Sequence, residues 1–235
     1  MRKRHRPYQM VALLALVCSQ LWIGPPAEAV ACPSGKQIFI RQQSTNTRWG
    51  VRGKVKVPNN NIDACAGAAT FTTAHFTDCS TPVCGTQVEI GIRDNSTGPI
   101  VFTEKQVNGD VVRFDQITTA ANNTFISLRL KVAQNGDVFF EYNFGSGWET
   151  TWSSPYSIGW APGFPMGETE KIGDDTQMFS HHRDMRYITS SWDESAWGGM
   201  TCVLDSAPGW SWHPLSGSTN DWDVTNVGGD SCVAA

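Results

Sequence analysis

The sequence predicts an all-β fold in which two antiparallel sheets pack face to face as a sandwich. Apolar and polar residues alternate with a period of two through most of the chain, which gives each segment one apolar face and one polar face. Clusters of Gly, Asn, Asp and Pro separate these segments, and no stretch of about a dozen residues follows the helical period of 3.6. About a dozen short strands joined by such turns are typical of a two-sheet sandwich.

Three segments show the alternation most clearly. Residues 48–57 (RWGVRGKVKV) place Trp and Val on one face and Arg and Lys on the other. Residues 124–132 (TFISLRLKV) set Ile, Leu and Val against Ser, Arg and Lys. Residues 137–144 (DVFFEYNF) follow QNG, which is a hairpin signal. We therefore expect each of these segments to bury one face in the sandwich core.

The first 29 residues have the pattern of an export signal. A basic start (RKRHR) precedes the apolar run MVALLALVCSQLWIG, and AEA before Val30 fits a cleavage site. The apolar run is shorter than a membrane-spanning helix needs, and no second run follows, so we expect a secreted, extracellular protein. The alternative is a lipid anchor on Cys18, but ALVC lacks the small residue that a lipobox places before the cysteine.

The charge of the mature chain argues against two classes of partner. Without residues 1–29 the chain has 14 Lys and Arg against 21 Asp and Glu, a formal net charge of −7. Nucleic acid needs a basic footprint, and anionic lipid needs a basic helix, so neither partner is expected. The remaining 206 residues suit one domain. We expect a monomer.

The cysteine count indicates disulfides. Six cysteines remain after cleavage, and an even number in an exported chain is typical of a disulfide framework. Zinc binding is the rival interpretation, but no CxxC pair and no suitably spaced His accompany these cysteines. Connectivity does not follow from the sequence. The pairs that we favour are Cys79 with Cys84, Cys202 with Cys232 and, as the remaining pair, Cys32 with Cys65.

The composition changes near the C-terminus. Eight of the nine tryptophans of the mature chain lie between residues 148 and 222. The segment PGWSWHPLSGSTNDWDVTNVGGDSC is rich in Gly, Ser, Asp and Trp and has the composition of an irregular segment. We predict a sandwich domain over 30–201 and a tail over 202–235 that packs on the sandwich and is closed by a disulfide.

The polar face of one strand is the first candidate site. In CGTQVEIGIRD (84–94) the apolar residues point to the core, whereas Gln87, Glu89, Gly91 and Arg93 share the opposite face. Gly91 would leave room for a ligand to approach. Such a row is most often solvated surface, but it becomes a site if a second carboxylate meets it, because two nearby acids can do acid–base work on a water.

The same stretch resembles a segment of the glutamic peptidases and their exported bacterial relatives. The resemblance lies in AATFTTAHFTDCSTPVCGTQVEIGIRD, where a Cys-containing loop precedes a strand of the type x-Gln-x-Gly-Val. It continues weakly through GDVFFEYNFGSGW to GETEKIGDDTQMFSHHRDMRYI, and so covers roughly 49–188. It implies a concanavalin A-like jelly roll with a Gln/Glu catalytic dyad on one sheet.

The resemblance implies candidate catalytic residues. When the segments are anchored on Gly91, Glu89 takes the position of the family Gln, with Gln87 two residues earlier on the same face. The family Glu matches Glu170, or Glu168 if the register slips by one pair. The dyad is thus altered to Glu/Glu, with Gln87 as an oxyanion or orienting group. An acid endopeptidase acting on polypeptide is the expected function, and a binding role for these acids is the alternative.

The tryptophans suggest a different function, a non-catalytic module that binds polysaccharide. Indole faces stack on sugar rings, although most Trp residues in β-proteins lie in the core. The candidates are those in irregular, polar sequence, and we expect some of them to be exposed: Trp197, Trp210, Trp212 and Trp222.

No metal or cofactor is expected. His181 and His182 are adjacent and point to opposite faces of a strand, so they cannot easily share one ion. Asp221, Asp223 and Asp230 with a nearby Asn offer oxygen ligands that suit Ca²⁺, but their spacing is not that of an EF-hand, and a turn-rich surface is the default interpretation.

Overall fold

The computed structural model describes residues 31–32, 35–43, 46–56, 60–79, 85–159, 162–204 and 209–226, although not the side chains of 151–155 and 204. These residues form fifteen strands and no helix. No helix long and apolar enough to span a membrane occurs in this part of the chain. The strands are β1 (Lys36–Gln42), β2 (Gly50–Lys56), β3 (Ala69–Thr77), β4 (Thr86–Asn95), β5 (Ile100–Val107), β6 (Asp110–Thr119), β7 (Ile126–Val132), β8 (Asp137–Asn143), β9 (Glu149–Ser157), β10 (Phe164–Ile172), β11 (Phe179–Ile188), β12 (Glu194–Ala196), β13 (Met200–Leu204), β14 (Ser211–Pro214) and β15 (Trp222–Thr225).

The strands form two antiparallel sheets, as the alternating pattern predicts. The first sheet has the order β13-β1-β10-β3-β4-β5-β6, and the second has the order β14-β15-β11-β2-β7-β8-β9, with β12 paired to β11. Neighbours in both sheets are often distant in sequence, as where β10 lies between β1 and β3. The predicted two-sheet, disulfide-stapled sandwich is confirmed.

The core lies between the two sheets. In β4 the side chains of Val88, Ile90 and Ile92 are buried in the core, as predicted for the apolar face of that strand. The second sheet contributes Leu128 and Leu130 of β7. Because alternate residues point to opposite faces, the polar residues of β4 lie on the outer face of the first sheet, away from this core.

The C-terminal segment contributes short strands to both sheets, which its irregular, turn-rich composition did not predict. Strand β13, which begins at Met200, is the edge strand beside β1, and β14 and β15 extend the second sheet beyond β11. Trp222 stacks on His182 at 4.6 Å between ring centroids and on Trp197 at 5.5 Å. Buried aromatic rings from this segment therefore help to form the core, which its Gly- and Ser-rich composition does not reveal.

Disulfides are present where the described residues allow a test. Cys32 and Cys65 are bonded to each other and close a separation of 33 residues. Cys79 and Cys202 are also disulfide-bonded, which excludes free thiolate ligands at these four positions. The other two cysteines of the predicted framework, Cys84 and Cys232, lie outside the described residues, as do the signal segment and Asp230.

Candidate active site

The candidate site lies on the outer face of the first sheet, across its central strands β10, β3 and β4. His75 of β3 stands directly opposite Glu89 of β4 in the antiparallel register. Glu168 of β10 pairs with Thr73, two residues before His75, and so reaches the imidazole diagonally. Glu89 and Glu168, which are 79 residues apart in sequence, thus meet because β10 inserts beside β3.

The three side chains are close together and buried. His75 Nδ1 lies 3.0 Å from Glu168 Oε2 and 3.7 Å from Glu89 Oε2. One nitrogen or oxygen atom from each residue lies within 4.8 Å of the corresponding atom of the other two. The exposed fractions are 1% for His75, 5% for Glu89 and 2% for Glu168. Two carboxylates therefore share one imidazole in a region shielded from solvent.

Apolar neighbours hold the imidazole. The ring of Phe39 on β1 meets His75 edge to face at 5.2 Å between centroids and an interplanar angle of 75°. Met166, which pairs with His75 in the register of β10 and β3, is completely buried. With its ring packed and Nδ1 bonded to Glu168, His75 has a fixed orientation.

Negative charge accumulates around Glu89. Burial, and next the charge of Glu168, raises the pKa of Glu89 well above its usual range, while the neighbouring imidazole of His75, 3.7 Å away, opposes this rise. Glu104 of β5 pairs with Glu89 in the register and is itself buried. Burial raises the pKa of Glu104, although a 2.6 Å hydrogen bond from Gln106 opposes the shift. Glu89 is accordingly held in its protonated, neutral form over a wider pH range than an exposed glutamate.

Glu170 lies on the same face but outside the group of three. It pairs with Gln37 of β1 in the register, and the Gln37 side chain donates a hydrogen bond to it. Burial, followed by the charge of Glu89, raises the pKa of Glu170 to about 8. Of the two sequence candidates on β10, Glu168 is therefore the one that meets both Glu89 and His75.

Several buried polar atoms on this face have no hydrogen-bond partner among the described residues. They are Oγ1 of Thr73, Nε2 of His75, Nε2 of Gln87 and Oε2 of Glu89. Buried polar groups are nearly always satisfied, so a concentration of unsatisfied ones indicates a place for water or ligand. Gln87, which is 2% exposed, is one of them and keeps its amide donor available.

The arrangement can support two kinds of chemistry. Two carboxyls this close can share a proton and work as an acid and a base on one water molecule. The same three atoms also lie within the mutual reach that a divalent cation requires, with one nitrogen and two oxygen donors.

Gly91 has a different role from the one predicted. A Cβ atom built at this position would lie 2.5 Å from Thr73 Cγ2, 2.8 Å from Thr72 O and 3.0 Å from Phe102 Cε1. The space beside Gly91 is thus filled by neighbouring strands, and it does not provide room for a ligand. The expectation of an open approach at this position is wrong, because Thr73 and Phe102 press against the strand from both sides.

The four tryptophans proposed for sugar binding are not exposed. Trp197, Trp210 and Trp222 are at most 2% exposed, and Trp212 is half-buried against the core. The prediction of exposure is wrong because the strands of the C-terminal segment turn these indoles inward. Trp192, which we did not select, is 42% exposed.

The His pair and the Asp-rich loop have structural roles. His182 is fully buried, and burial lowers its pKa to about 3. His181 lies on the other face, as predicted, with Nδ1 2.6 Å from Asp223 Oδ1. Asp221 accepts a hydrogen bond from the backbone N–H of Asp184 and thereby links the C-terminal segment to β11.

His75 and Glu104 are the site residues that sequence analysis missed. The signal for His75 was present, because TFTTAHFT alternates in the same way as the strands that we did analyse. Phe71, Thr73 and His75 share a face by parity. What the sequence could not give is the strand order that places this face between Glu89 and Glu168.

Comparison with known proteins identifies the fold. The sequence matches no family model and no curated protein. Two crystal structures of scytalido-glutamic peptidase, one with a peptide-based transition state analogue and one with a transition state analogue inhibitor, superpose on the chain with a TM-score of 0.52. Each match covers 84% of this chain and 98% of the peptidase, at 8% and 10% identity.

The chain shares the fold of a glutamic peptidase. The resemblance found in the sequence is thereby confirmed at the level of the fold, which is all that identities of 8% and 10% can show.

Proposed function

We propose that this protein is an acid-acting hydrolase of polypeptides in which Glu89 and Glu168 form the catalytic pair. The observation that supports this proposal is the meeting of the two buried carboxyls within 4.8 Å, with His75 between them. The two carboxyls meet because β3 lies between β4 and β10 in the sheet. Unsatisfied buried polar atoms lie on the same face of these strands.

Glu168 is the general base of this pair. Its Oε2 accepts a hydrogen bond from His75 Nδ1–H at 3.0 Å, which fixes the orientation of the carboxylate. The other oxygen takes a proton from a water molecule as the water oxygen attacks the carbonyl carbon of a peptide bond. When the C–N bond breaks, Glu168 returns the proton to the leaving nitrogen.

Glu89 is the electrophilic partner, and its raised pKa explains how a Glu can stand where the resemblance places a Gln. A carboxyl that burial keeps protonated is neutral and donates an O–H, much as the amide of Gln donates an N–H. Glu89 then donates a hydrogen bond to the carbonyl oxygen as negative charge develops there. The amide Nε2 of Gln87, which is buried and unpaired, is a second donor on the same face.

Secretion is part of this proposal. The disulfide between Cys32 and Cys65 suits an oxidising compartment, and the export pattern at the N-terminus would take the chain there. An extracellular hydrolase with a protonated carboxyl in its site would work best in acidic surroundings.

The experiment is digestion of casein between pH 2 and 5 by wild type and by Glu168→Gln, with Glu170→Gln as the matched control on the same strand. We expect digestion by wild type and by the control, and a loss of about 100-fold or more in Glu168→Gln. A chelator should leave the wild-type rate of digestion unchanged. If a chelator instead abolished digestion, His75, Glu89 and Glu168 would be assigned to a metal centre. Absence of digestion by wild type across this range would overturn the proposal.

A further inference from the structure

A second surface of the molecule combines one exposed indole ring, that of Trp192, and one half-buried indole ring, that of Trp148, with a dense array of paired charges. It lies on the outer face of the second sheet, on the opposite side of the sandwich from Glu89 and Glu168. Its central residues are Arg129 and Lys131, which are two apart on β7 and so point the same way, with side chains about 7 Å apart. We call the surface formed by Trp148, Trp192 and the charged side chains beneath them the indole face.

Each indole lies on one of these cations. The guanidinium of Arg129 is 4.1 Å from the ring centroid of Trp148. The ammonium of Lys131 is 4.5 Å from the ring centroid of Trp192, which also meets Phe139 at 5.4 Å. One face of each ring is therefore occupied by protein, and Trp192 remains 42% exposed.

The charged side chains beneath the indoles form ion pairs with one another. Arg129 bonds Glu141 at 2.6 Å and Glu194 at 3.0 Å, and Lys131 bonds Glu141 at 3.1 Å. Arg52 bonds Glu194 at 3.3 Å and continues the array toward β11. Such a surface offers many fixed hydrogen-bond donors and acceptors, yet little unpaired charge with which to attract an ion. It matches a neutral, hydroxyl-rich ligand better than a charged one.

The backbone at Trp192 supports a functional reason for this side chain. Its φ is +67°, in the left-handed region that favours glycine and is rarely adopted by an aromatic residue. The turn is closed by a hydrogen bond from Trp192 N–H to Thr189 O at 3.0 Å and by one from Thr189 N–H to Asp193 O at 2.9 Å. A residue held in a costly conformation on an exposed turn is a candidate for function.

We propose that the indole face binds a neutral polysaccharide, independently of the site at Glu89 and Glu168. The exposed face of the Trp192 indole would stack on a sugar ring, with Trp148 as the neighbouring platform. The paired side chains of Arg129, Glu141 and Glu194 would exchange hydrogen bonds with sugar hydroxyls.

The test is retention on insoluble cellulose and on insoluble β-1,3-glucan, together with migration in gels that contain soluble laminarin. We compare wild type, Trp192→Ala, Trp148→Ala and, as a control for an exposed aromatic elsewhere on the second sheet, Phe179→Ala, since Phe179 is 45% exposed. Retention of wild type and of Phe179→Ala, with at least a fivefold loss in each Trp variant, is expected. Absence of wild-type retention on all three glucans, or undiminished retention of both Trp variants, would overturn the proposal.

Trp192→Gly separates binding from folding. Because glycine adopts a φ of +67° without strain, this variant should have a Tm equal to or above that of wild type while it loses glucan retention. Loss of retention together with an equal fall in Tm in every Trp variant would show a merely structural role. Casein digestion by the same variants should be unchanged, so that failure of this proposal and failure of the proposed catalytic function are distinguishable.

Discussion

The carboxyls of Glu89 and Glu168 meet at the imidazole of His75, although the two strands that carry these glutamates are not neighbours in the sheet. Strand β3 lies between β4 and β10 and presents His75 to both, at 3.7 Å from Glu89 Oε2 and 3.0 Å from Glu168 Oε2. The proximity of the two carboxyls therefore results from the strand order, and burial of the site raises the pKa of Glu89.

The pH profile of activity should report the protonation of Glu89. If Glu89 donates a hydrogen bond to the oxyanion, activity is lost as pH rises through the elevated pKa of this carboxyl. Glu89→Gln replaces the proton donor with an amide that does not titrate, and so should extend activity to higher pH. The measurement is kcat/KM against pH for a peptide substrate, with Glu89→Leu expected to be at least about 100-fold less active. A profile of Glu89→Gln that coincides with that of wild type would exclude this role.

His75 should act as a positioning residue, through Glu168. An Asn in its place can present an amide N–H near the position of Nδ1, whereas Leu cannot. We predict that His75→Leu lowers kcat by about 10-fold or more with little change in KM, and that His75→Asn recovers part of the loss. Equal losses in both variants, accompanied by an equal fall in Tm, would mean that His75 serves only to fill the space beside Phe39.

The stability of the fold should decrease as pH rises from about 4.5 to about 8. The folded-state pKa values of Glu89, Glu104 and Glu170 lie above the usual 4.5, and that of Glu170 is about 8. In this window the folded chain holds protons that the unfolded chain has released. The contribution of these carboxyls to the free energy of unfolding is therefore fully present below pH 4.5 and is lost as the pH rises.

His182 acts in the opposite direction. Its pKa falls from 6.5 to about 3 on burial, so its contribution to stability is lost as pH falls below 6.5. Burial also raises the pKa of Asp94, so four carboxyls oppose one imidazole, and Tm should be highest near pH 4.5 to 5. Thermal unfolding followed by circular dichroism between pH 3 and 8.5 tests this, and Glu170→Gln should flatten the alkaline side of the curve. A Tm that rises steadily from pH 4.5 to 8 would contradict it.

Gly91→Ala should destabilise the sheet. The added methyl group would clash with Thr73 and Phe102, and overpacking of this kind typically costs about 1–3 kcal/mol. The control is Gly198→Ala, because a Cβ at Gly198 has no atom within 4 Å. Urea unfolding gives the difference in free energy directly. If the two variants are equally stable, the close packing at Gly91 is more yielding than the structure indicates.

The alternation of apolar and polar residues predicted more of the site than the composition did. The alternation of Val88, Ile90 and Ile92 with polar residues correctly placed Glu89 on the face away from the core. The choice between Glu168 and Glu170 could not be made in this way, because residues two apart share a face. Only the register of β10 against β3 decides which of them reaches His75.

The tryptophans show the limit of composition as a guide. Polar, Gly-rich sequence around Trp222 suggested exposure, yet this indole is fully buried against His182 and Trp197. Burial was decided by pairing of β15 with β11, a contact between segments about 40 residues apart in sequence. Trp192, which is exposed, lies in the turn TSSWDES, where the neighbouring residues are all polar, so composition did not separate the exposed indole from the buried ones.

The most direct measurement of the central claim is the ratio of kcat/KM between Glu89→Gln and Glu168→Gln on one peptide substrate near pH 4. If Glu89 donates a proton and Glu168 abstracts one, an amide can replace only Glu89. We therefore expect Glu89→Gln to remain within about 10-fold of wild type, and Glu168→Gln to fall by about 100- to 10,000-fold. Equal losses in the two variants, or full activity in Glu168→Gln, would contradict it.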